Sequence, residues 1–187
     1  ARELNMPVEE VEEMWKKIGE EASQKGRFLH EQIEKYFLKQ DYEQTDTFHL
    51  FEQFILDHPE LEPFRSEWRI FDEEFCIAGT IDLICKNDGE YQIYDWKRSK
   101  KVVDLISGIP KDKNNFQHGV GKLCSVDDTS YNKYCLQQSL YRYILEKNYN
   151  LTISKMYLVV LYPGCQKYYK VEVPYQKNSI EYILSTL

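Results

Sequence analysis

The sequence predicts an α/β protein in which helices flank a central β-sheet. Three observations predict this class. Apolar residues recur at helical spacing near both ends, residues 66–99 alternate in the manner of strands, and a further helical segment precedes two closing strands. The 187 residues are 42% hydrophobic, enough for one core. We therefore expect a single domain over residues 1–187.

The N-terminal part is predicted to be helical. Residues 8–39 place apolar side chains at helical spacing, and Gly26 is expected to break this segment into two helices. His30 and Glu34 fall on one face of the second of these helices. Residues 46–57, DTFHLFEQFILD, predict another helix before the HPELEP turn.

The middle of the chain is predicted to form the sheet. Residues 66–99 are rich in Ile, Phe, Tyr and Trp, and Asn87-Asp88-Gly89 interrupts them as a hairpin turn would. After a loop-rich stretch at 101–130, a helix is expected at 131–148. Two strands at 154–163 and 166–174 and a helix at 179–187 complete the prediction. A loop as long as 101–130 in a compact domain more often has a function than serves only as a connection.

The charge is acidic overall but unevenly distributed. The net charge of −7 argues against a protein that coats nucleic acid by bulk electrostatics. Two interpretations of the basic residues stay open, a solvated face and a local basic strip on this acidic body. The members of the strip are Lys97, Arg98, Lys100 and Lys101, continued by Lys111, Lys113 and Lys122.

Composition also indicates the compartment. No apolar run has the roughly 18 to 20 residues of a membrane helix, and the acidic N-terminus is unlike a signal peptide. Five cysteines without a C-x-x-C pair favour reduced thiols. We expect a soluble, intracellular protein of the cytoplasm or a nucleus. The start at Ala1 suggests a piece cut from a longer chain with further domains.

The segment GTIDLICKNDGEYQIYDWKRSK carries the chemistry. Asp82 and Asp95 lie in apolar runs joined by a tight turn, where unpaired charges would be costly. Because neighbouring strands are about 4.8 Å apart, the two carboxylates can converge on one divalent cation. Lys97 shares a strand face with Asp95, and its ammonium can orient or deprotonate an attacking water or balance charge on a phosphate.

A purely structural interpretation of the same residues is available. Asp82 could end a strand, and Asp95 and Lys97 could be surface positions on an edge strand. The context favours a site, because Gly79 permits close backbone approach ahead of Asp82. Tyr94 and Trp96 also bracket Asp95 and leave only the Asp/Lys face polar.

Taken together, these motifs resemble the PD-(D/E)XK nuclease superfamily, in particular its RecB-like and phage (lambda-type) exonuclease-like branch. The match covers GRFLH, SEWRIF, GTIDLI, YDWKRS and LQQSLYRYIL in chain order. The resemblance implies a restriction-endonuclease-like core with a mixed sheet. It implies metal ligands at His30, Asp82, Asp95 and the Trp96 carbonyl, and a catalytic lysine at Lys97.

Other roles also follow from the resemblance. Glu67 matches an acidic position that some relatives use near the metal, although Glu73 and Glu74 compete for it. Gln137 and Tyr141 match a Q-x-x-x-Y helix, and with Arg98, Lys100 and Arg27 they are the expected substrate contacts. Arg27 stands where many relatives carry a small hydroxyl residue. The cysteines are too dispersed for the iron–sulfur cluster of some relatives, so none is expected.

The resulting expectation is a nuclease that uses Mg²⁺ or Mn²⁺ to hydrolyse DNA, from an end rather than internally. Two alternatives remain open. The same metal site would suit an endoribonuclease acting on RNA, and a silent nucleic-acid-binding module could keep the fold without turnover. Digestion polarity, strand preference, oligomeric state and the choice among repair, recombination and viral genome processing are not readable from the chain.

Overall fold

Four α-helices and five β-strands form the framework of residues 6–187, the part of the chain that the computed structural model describes. In chain order they are α1 (Val8–Phe37), α2 (Phe48–Asp57), β1 (Glu62–Asp72), β2 (Ile77–Asn87), β3 (Glu90–Lys97), α3 (Ser130–Asn148), β4 (Ile153–Val160), β5 (Tyr169–Glu172) and α4 (Lys177–Leu184).

The five strands form one sheet in the order β1-β2-β3-β4-β5. Strands β1, β2 and β3 pair antiparallel, β3 and β4 pair parallel, and β5 returns antiparallel to β4. Two parallel neighbours require a long crossover, and α3 lies within the one that connects β3 to β4. The predicted class is confirmed: a mixed sheet flanked by helices, in the manner of a restriction endonuclease.

Helices cover both faces of the sheet. Leu29 and Ile33 of α1 and the phenylalanines of α2 pack with Tyr94 and Trp96 on one face. Residues of α3 such as Ile144 and Leu145 pack on the other face with alternate residues of the same strands. Because β3 is buried on both faces, its Asp95 and Lys97 are held on a rigid element.

Helix α1 runs without interruption through Gly26, so the break expected there is wrong. A glycine inside a helix costs only about 1 kcal/mol relative to alanine, and the good helix formers around it outweigh that cost. The consequence is that Gly26 and His30 lie one turn apart on a single rigid helix. None of the helices in residues 6–187, α1 included, is long and apolar enough to cross a membrane.

The β2–β3 hairpin is formed as predicted. Asn87 pairs with Glu90, and the turn residues Asp88 and Gly89 have φ values of 50° and 86°. Positive φ at both central residues is the type I′ geometry, whose twist suits a two-residue hairpin. At the other end of the hairpin the last paired residues are Leu83 and Tyr94. The next residues outward on the two strands are Asp82 and Asp95.

Candidate metal centre

Asp82 is anchored to the neighbouring strand by its own side chain. Its Oδ2 accepts a hydrogen bond of 2.8 Å from the backbone N–H of Trp96, and the residue is only 9% exposed. A hydrogen bond to a carboxylate is stronger than one between neutral groups. The open end of the hairpin is therefore closed by a carboxylate at the position predicted for a metal ligand.

His30 reaches the same point from α1. Its Nε2 donates a hydrogen bond of 2.9 Å to the Trp96 carbonyl, and its Nδ1 lies 3.4 Å from Asp82 Oδ2. Burial alone would lower the pKa of His30, but the carboxylate of Asp82, with smaller contributions from Glu67 and Asp95, raises this pKa to about 10. In the absence of a metal the imidazolium thus offsets part of the acidic charge of the cluster.

Glu67 supplies a third group from β1. Its Oε1 lies 3.8 Å from His30 Nδ1, and the ligand atoms of His30, Glu67 and Asp82 all fall within 4.8 Å of one another. Glu73 is exposed beyond the end of β1, and Glu74 is paired with Lys147 at 2.6 Å. Of the three acidic residues that the sequence left open, Glu67 is the one at the cluster.

The backbone of Glu67 is strained. Its φ is 45°, in the left-handed region that residues other than Gly, Asn and Asp rarely adopt. The pairs Ser66–Leu83 and Trp68–Ile81 flank it, so the irregularity lies directly across from Asp82. Such a conformation costs on the order of 1–3 kcal/mol and concentrates at functional sites. This strained residue lies in the cluster.

Asp95 and Lys97 form an ion pair beside this group. Lys97 Nζ lies 2.5 Å from Asp95 Oδ2, and both side chains are largely buried. Burial and the nearby charge of Asp82 raise the pKa of Asp95, while burial alone would lower the pKa of Lys97 but the two aspartates raise it. Among residues 6–187, the group whose ligand atoms lie within 4.8 Å of one another does not include Asp95, so its role as a ligand stays a prediction.

The donor set fits a divalent cation. Carboxylates suit hard cations such as Mg²⁺ and Mn²⁺, and imidazole is a common ligand for transition metals. With His30 neutral, as a ligand must be, the carboxylates of Glu67 and Asp82 carry two negative charges, and the neighbouring Asp95–Lys97 ion pair adds none. The net charge of two negatives is the charge that a divalent ion would neutralise.

Tyr134 is a neighbour of the cluster that the motifs did not indicate. Lys97 Nζ lies 4.2 Å from the centroid of its ring, a cation–π geometry that holds the ammonium from the α3 side. A signal was present in the sequence, because Tyr134, Gln137 and Tyr141 are spaced i, i+3 and i+7 and so share one face of α3.

Gln137 and Tyr141 contact each other, since Gln137 Nε2 donates to the Tyr141 hydroxyl at 3.1 Å. Burial, followed by the charge of Asp95, raises the pKa of Tyr141, so its hydroxyl is a neutral group. The Tyr141 ring lies against Gly79. A Cβ at Gly79 would approach Tyr141 Cζ to 2.8 Å and the hydroxyl oxygen to 2.9 Å. This is the close approach that the glycine before Asp82 was predicted to allow.

Replacing Gly79 with alanine is expected to destabilise the protein by about 1–3 kcal/mol, the usual cost of overpacking. The added methyl group has no room beside the Tyr141 ring. Thermal unfolding would show a lowered Tm, and Gly79→Ala/Tyr141→Ala should lose less than the sum of the single changes. Gly19→Ala is the control, because a Cβ there meets nothing within 4 Å. Equal melting of Gly79→Ala and wild type would contradict this packing.

The remaining expected substrate contacts are Arg27, Arg98 and Lys100. Gly26, Arg27, His30 and Glu67 line a hollow of about 290 Å³ together with Glu31 and Glu34. The Arg98 guanidinium is engaged with Asp46, at 2.5 Å from Nη2 to Oδ2, and Lys100 is exposed three residues beyond Lys97. Contacts of these residues with a substrate stay predictions.

Comparison with known proteins identifies the class. The family model of the PD-(D/E)XK nuclease superfamily matches residues 2–179, which is nearly the whole chain. The chain therefore belongs to the PD-(D/E)XK nuclease superfamily, whose members are nucleases that hydrolyse phosphodiester bonds and generally use divalent metals.

The other comparisons add little to this assignment. Among solved structures, a protein of Eubacterium rectale named "Putative exonuclease" is similar with a TM-score of 0.41 and 13% sequence identity. The match covers 82% of this chain and 68% of that one. A search of curated proteins found no match.

Proposed function

We propose that this protein is a divalent-metal-dependent deoxyribonuclease that degrades DNA from its ends, with Mg²⁺ or Mn²⁺ as its metal. One observation carries the proposal. His30, Glu67 and Asp82 come from α1, β1 and β2 and meet within 4.8 Å, next to the buried Asp95–Lys97 pair of β3. Three separate elements thus bring potential metal-ligand side chains to one point. A purely structural role in the core would not require ionisable side chains there.

The residues that would hold the metal are His30, Glu67, Asp82 and Asp95, with the Trp96 carbonyl at the same point. A divalent cation held by these residues would polarise a phosphoryl oxygen and would offset the negative charge that develops during phosphodiester hydrolysis. The protein's own part is to keep these ligands in place. The Trp96 N–H fixes Asp82, and the rigid helix α1 fixes His30.

Lys97 is the catalytic lysine of the proposal. Its ammonium is positioned by Asp95 on one side and by the Tyr134 ring on the other. A cation held in this manner orients an attacking water and stabilises charge on the phosphate without reorganising during the reaction.

The preference for DNA and for ends rests on motif resemblance. The spacing of Gly26 and His30 and the pairing of Gln137 with Tyr141 resemble the RecB-like and phage exonuclease-like branch. Gly26 lines the same hollow as His30, and the Tyr141 ring packs against Gly79, three residues before Asp82. Their placement supports a role in the active site.

A cleavage panel tests the proposal. End-labelled linear single-stranded DNA, linear duplex, closed circular DNA and RNA are each incubated with Mg²⁺, Mn²⁺ or EDTA. We expect metal-dependent loss of the linear DNAs while circles are spared. Cut circles would instead mean an endonuclease, degradation of RNA alone would mean a ribonuclease, and a folded, metal-binding protein that cleaves nothing would be a binding module.

Gly26→Leu is expected to reduce the cleavage rate by at least about tenfold. The larger side chain would displace the substrate, so that its phosphate would no longer be correctly positioned for attack. The leucine would fill part of the hollow beside His30. Stability should not fall, since leucine is a better helix former than glycine by nearly 1 kcal/mol.

Gly19→Leu is the matched control for this change. Gly19 lies in the same helix, and a Cβ added at either glycine would meet nothing within 4 Å. Only the variant at Gly26 should lose activity when initial cleavage rates and melting curves are compared. Equal rates for the two leucine variants would show that the hollow beside His30 is not used.

A further inference from the structure

A lysine-lined hollow lies outside the metal cluster, in the long segment between β3 and α3. Its volume is about 520 Å³. Four lysines line it, together with an exposed phenylalanine, two asparagines, the first residue of α3 and the residue before it. The lining residues are Lys100, Lys101, Lys111, Lys113, Asn114, Asn115, Phe116, Thr129 and Ser130.

The hollow adjoins the cluster by two routes. Lys100 follows Lys97 by three residues, which spans at most about 11 Å of chain. Ser130 precedes Tyr134, the residue against Lys97, by one helical turn, or about 6 Å along α3. A strand whose phosphate lies at the cluster could therefore reach the hollow with its neighbouring nucleotides.

Three of the lysines are available for a ligand. Within residues 6–187, no carboxylate lies in ion-pair distance of Lys100, Lys101 or Lys111, whereas Lys113 is 3.7 Å from Asp112. Lys111 is held across the hollow because its Nζ donates to the Lys100 carbonyl at 3.2 Å. On a chain with a net charge of −7, such a cluster offers local charge complementarity to a polyanion.

Phe116 adds an aromatic surface to this charge. The residue is 91% exposed, yet its backbone is fixed, because its N–H donates to Asn114 Oδ1 at 3.0 Å. Asn114 is in turn tied to the segment just before α3, because its backbone N–H donates to Asp127 Oδ2 and its side-chain amide donates to the Asp128 carbonyl. A ring presented on an anchored loop beside lysines is the arrangement by which proteins stack the bases of single strands.

We propose that this hollow binds single-stranded nucleic acid next to the cluster, with phosphates on Lys100, Lys101 and Lys111 and a base stacked on Phe116. The inference deepens the proposed nuclease function and rests on it for the direction of the strand toward the cluster. A single strand is favoured over a duplex because paired bases do not expose their faces to a side chain.

Binding without cleavage tests the proposal. Fluorescence anisotropy in EDTA measures the affinity of the full chain for labelled oligothymidylate, for oligouridylate and for a blunt duplex of equal length, over a series of salt concentrations. The variants are Lys100→Ala/Lys111→Ala and Phe116→Ala. The controls are Lys86→Ala, an exposed lysine near the β2–β3 turn, and Ile106→Ala, an equally exposed apolar residue outside the hollow.

We expect Phe116→Ala to weaken single-strand binding by about 5- to 100-fold without changing the salt slope, and to leave duplex binding unchanged. The double lysine variant should reduce the slope by about 1.4, or 0.7 for each lost phosphate contact. Both oligonucleotides should respond, since stacking does not distinguish the sugars, and the controls should match wild type.

The proposal is overturned if Phe116→Ala binds single strands as wild type does, if the lysine variant keeps the full salt slope, or if wild type binds neither oligonucleotide. These results are separate from those of the cleavage panel. A protein that cleaves while the hollow variants bind normally would retain the nuclease function and lose the hollow. A protein that binds single strands at the hollow but cleaves nothing would retain the binding site and lose the proposed nuclease function.

Discussion

Lys97→Met is expected to reduce cleavage by about 10²- to 10⁴-fold, the range observed when a positioned proton-transfer or electrostatic group is removed. The methionine keeps an unbranched aliphatic stem and removes the ammonium, which lies 2.5 Å from Asp95 Oδ2 and 4.2 Å from the centroid of the Tyr134 ring. Metal binding should persist, because Lys97 repels a cation and contributes no ligand atom. The two measurements are single-turnover cleavage with Mn²⁺ and calorimetric titration with Mn²⁺.

Lys86→Met is the control, since Lys86 is an exposed lysine near the opposite end of the same hairpin. It should cleave and bind metal as wild type does. Removing Lys97 leaves Asp95 buried without its partner, so melting curves with and without Mn²⁺ verify that the variant is folded. A folded Lys97→Met protein that cleaves at the wild-type rate would show that the ammonium has no catalytic role.

Asp82→Asn is expected to abolish both metal binding and cleavage. Loss of supporting partners around a metal costs about 10- to 100-fold in affinity, and loss of a charged ligand should exceed that. The asparagine oxygen can still accept the hydrogen bond from Trp96, so the hairpin should stay closed. Calorimetry with Mn²⁺ measures the first effect, and cleavage of end-labelled DNA measures the second.

Asp88→Asn removes a carboxylate from the same hairpin without touching the cluster. Asp88 lies in the turn with a φ of 50°, a conformation that asparagine tolerates well. This control should bind Mn²⁺ and cleave as wild type does. If Asp82→Asn titrated with Mn²⁺ like Asp88→Asn, the metal would have to lie elsewhere. Asp82→Asn and Lys97→Met thus separate metal binding from catalysis.

Much of the fold and part of the site could be predicted because local signals were strong. Asp88 and Gly89 tolerate the positive φ values that a type I′ turn needs, so the sequence predicted the hairpin. The hairpin in turn predicted that Asp82 and Asp95 lie on adjacent strands. His30 was predicted from helical spacing and motif resemblance, and the structure brings it to Asp82 and the Trp96 carbonyl.

Other features depend on forces that sequence patterns do not report. The break at Gly26 was predicted because glycine destabilises a helix by about 1 kcal/mol relative to alanine. In a helix of 30 residues the other residues outweigh that cost. Glu67 could not be distinguished from Glu73 and Glu74, because a period of two does not reveal one left-handed residue within a strand. The lysine-lined hollow depends on how the long loop before α3 folds back on that helix. The loop sequence has no periodicity from which its fold could be predicted.

Metal-activated cleavage by the purified protein would decide whether the cluster is a catalytic centre. Wild type, Asp82→Asn and Lys97→Met are dialysed against EDTA, given end-labelled linear DNA, and then supplied with Mn²⁺. We expect wild type to cleave only after Mn²⁺ is added, Asp82→Asn not to cleave, and Lys97→Met to cleave about 10²- to 10⁴-fold more slowly than wild type. Cleavage by wild type in EDTA, or by either folded variant at the wild-type rate, would contradict a catalytic centre built on Asp82 and Lys97.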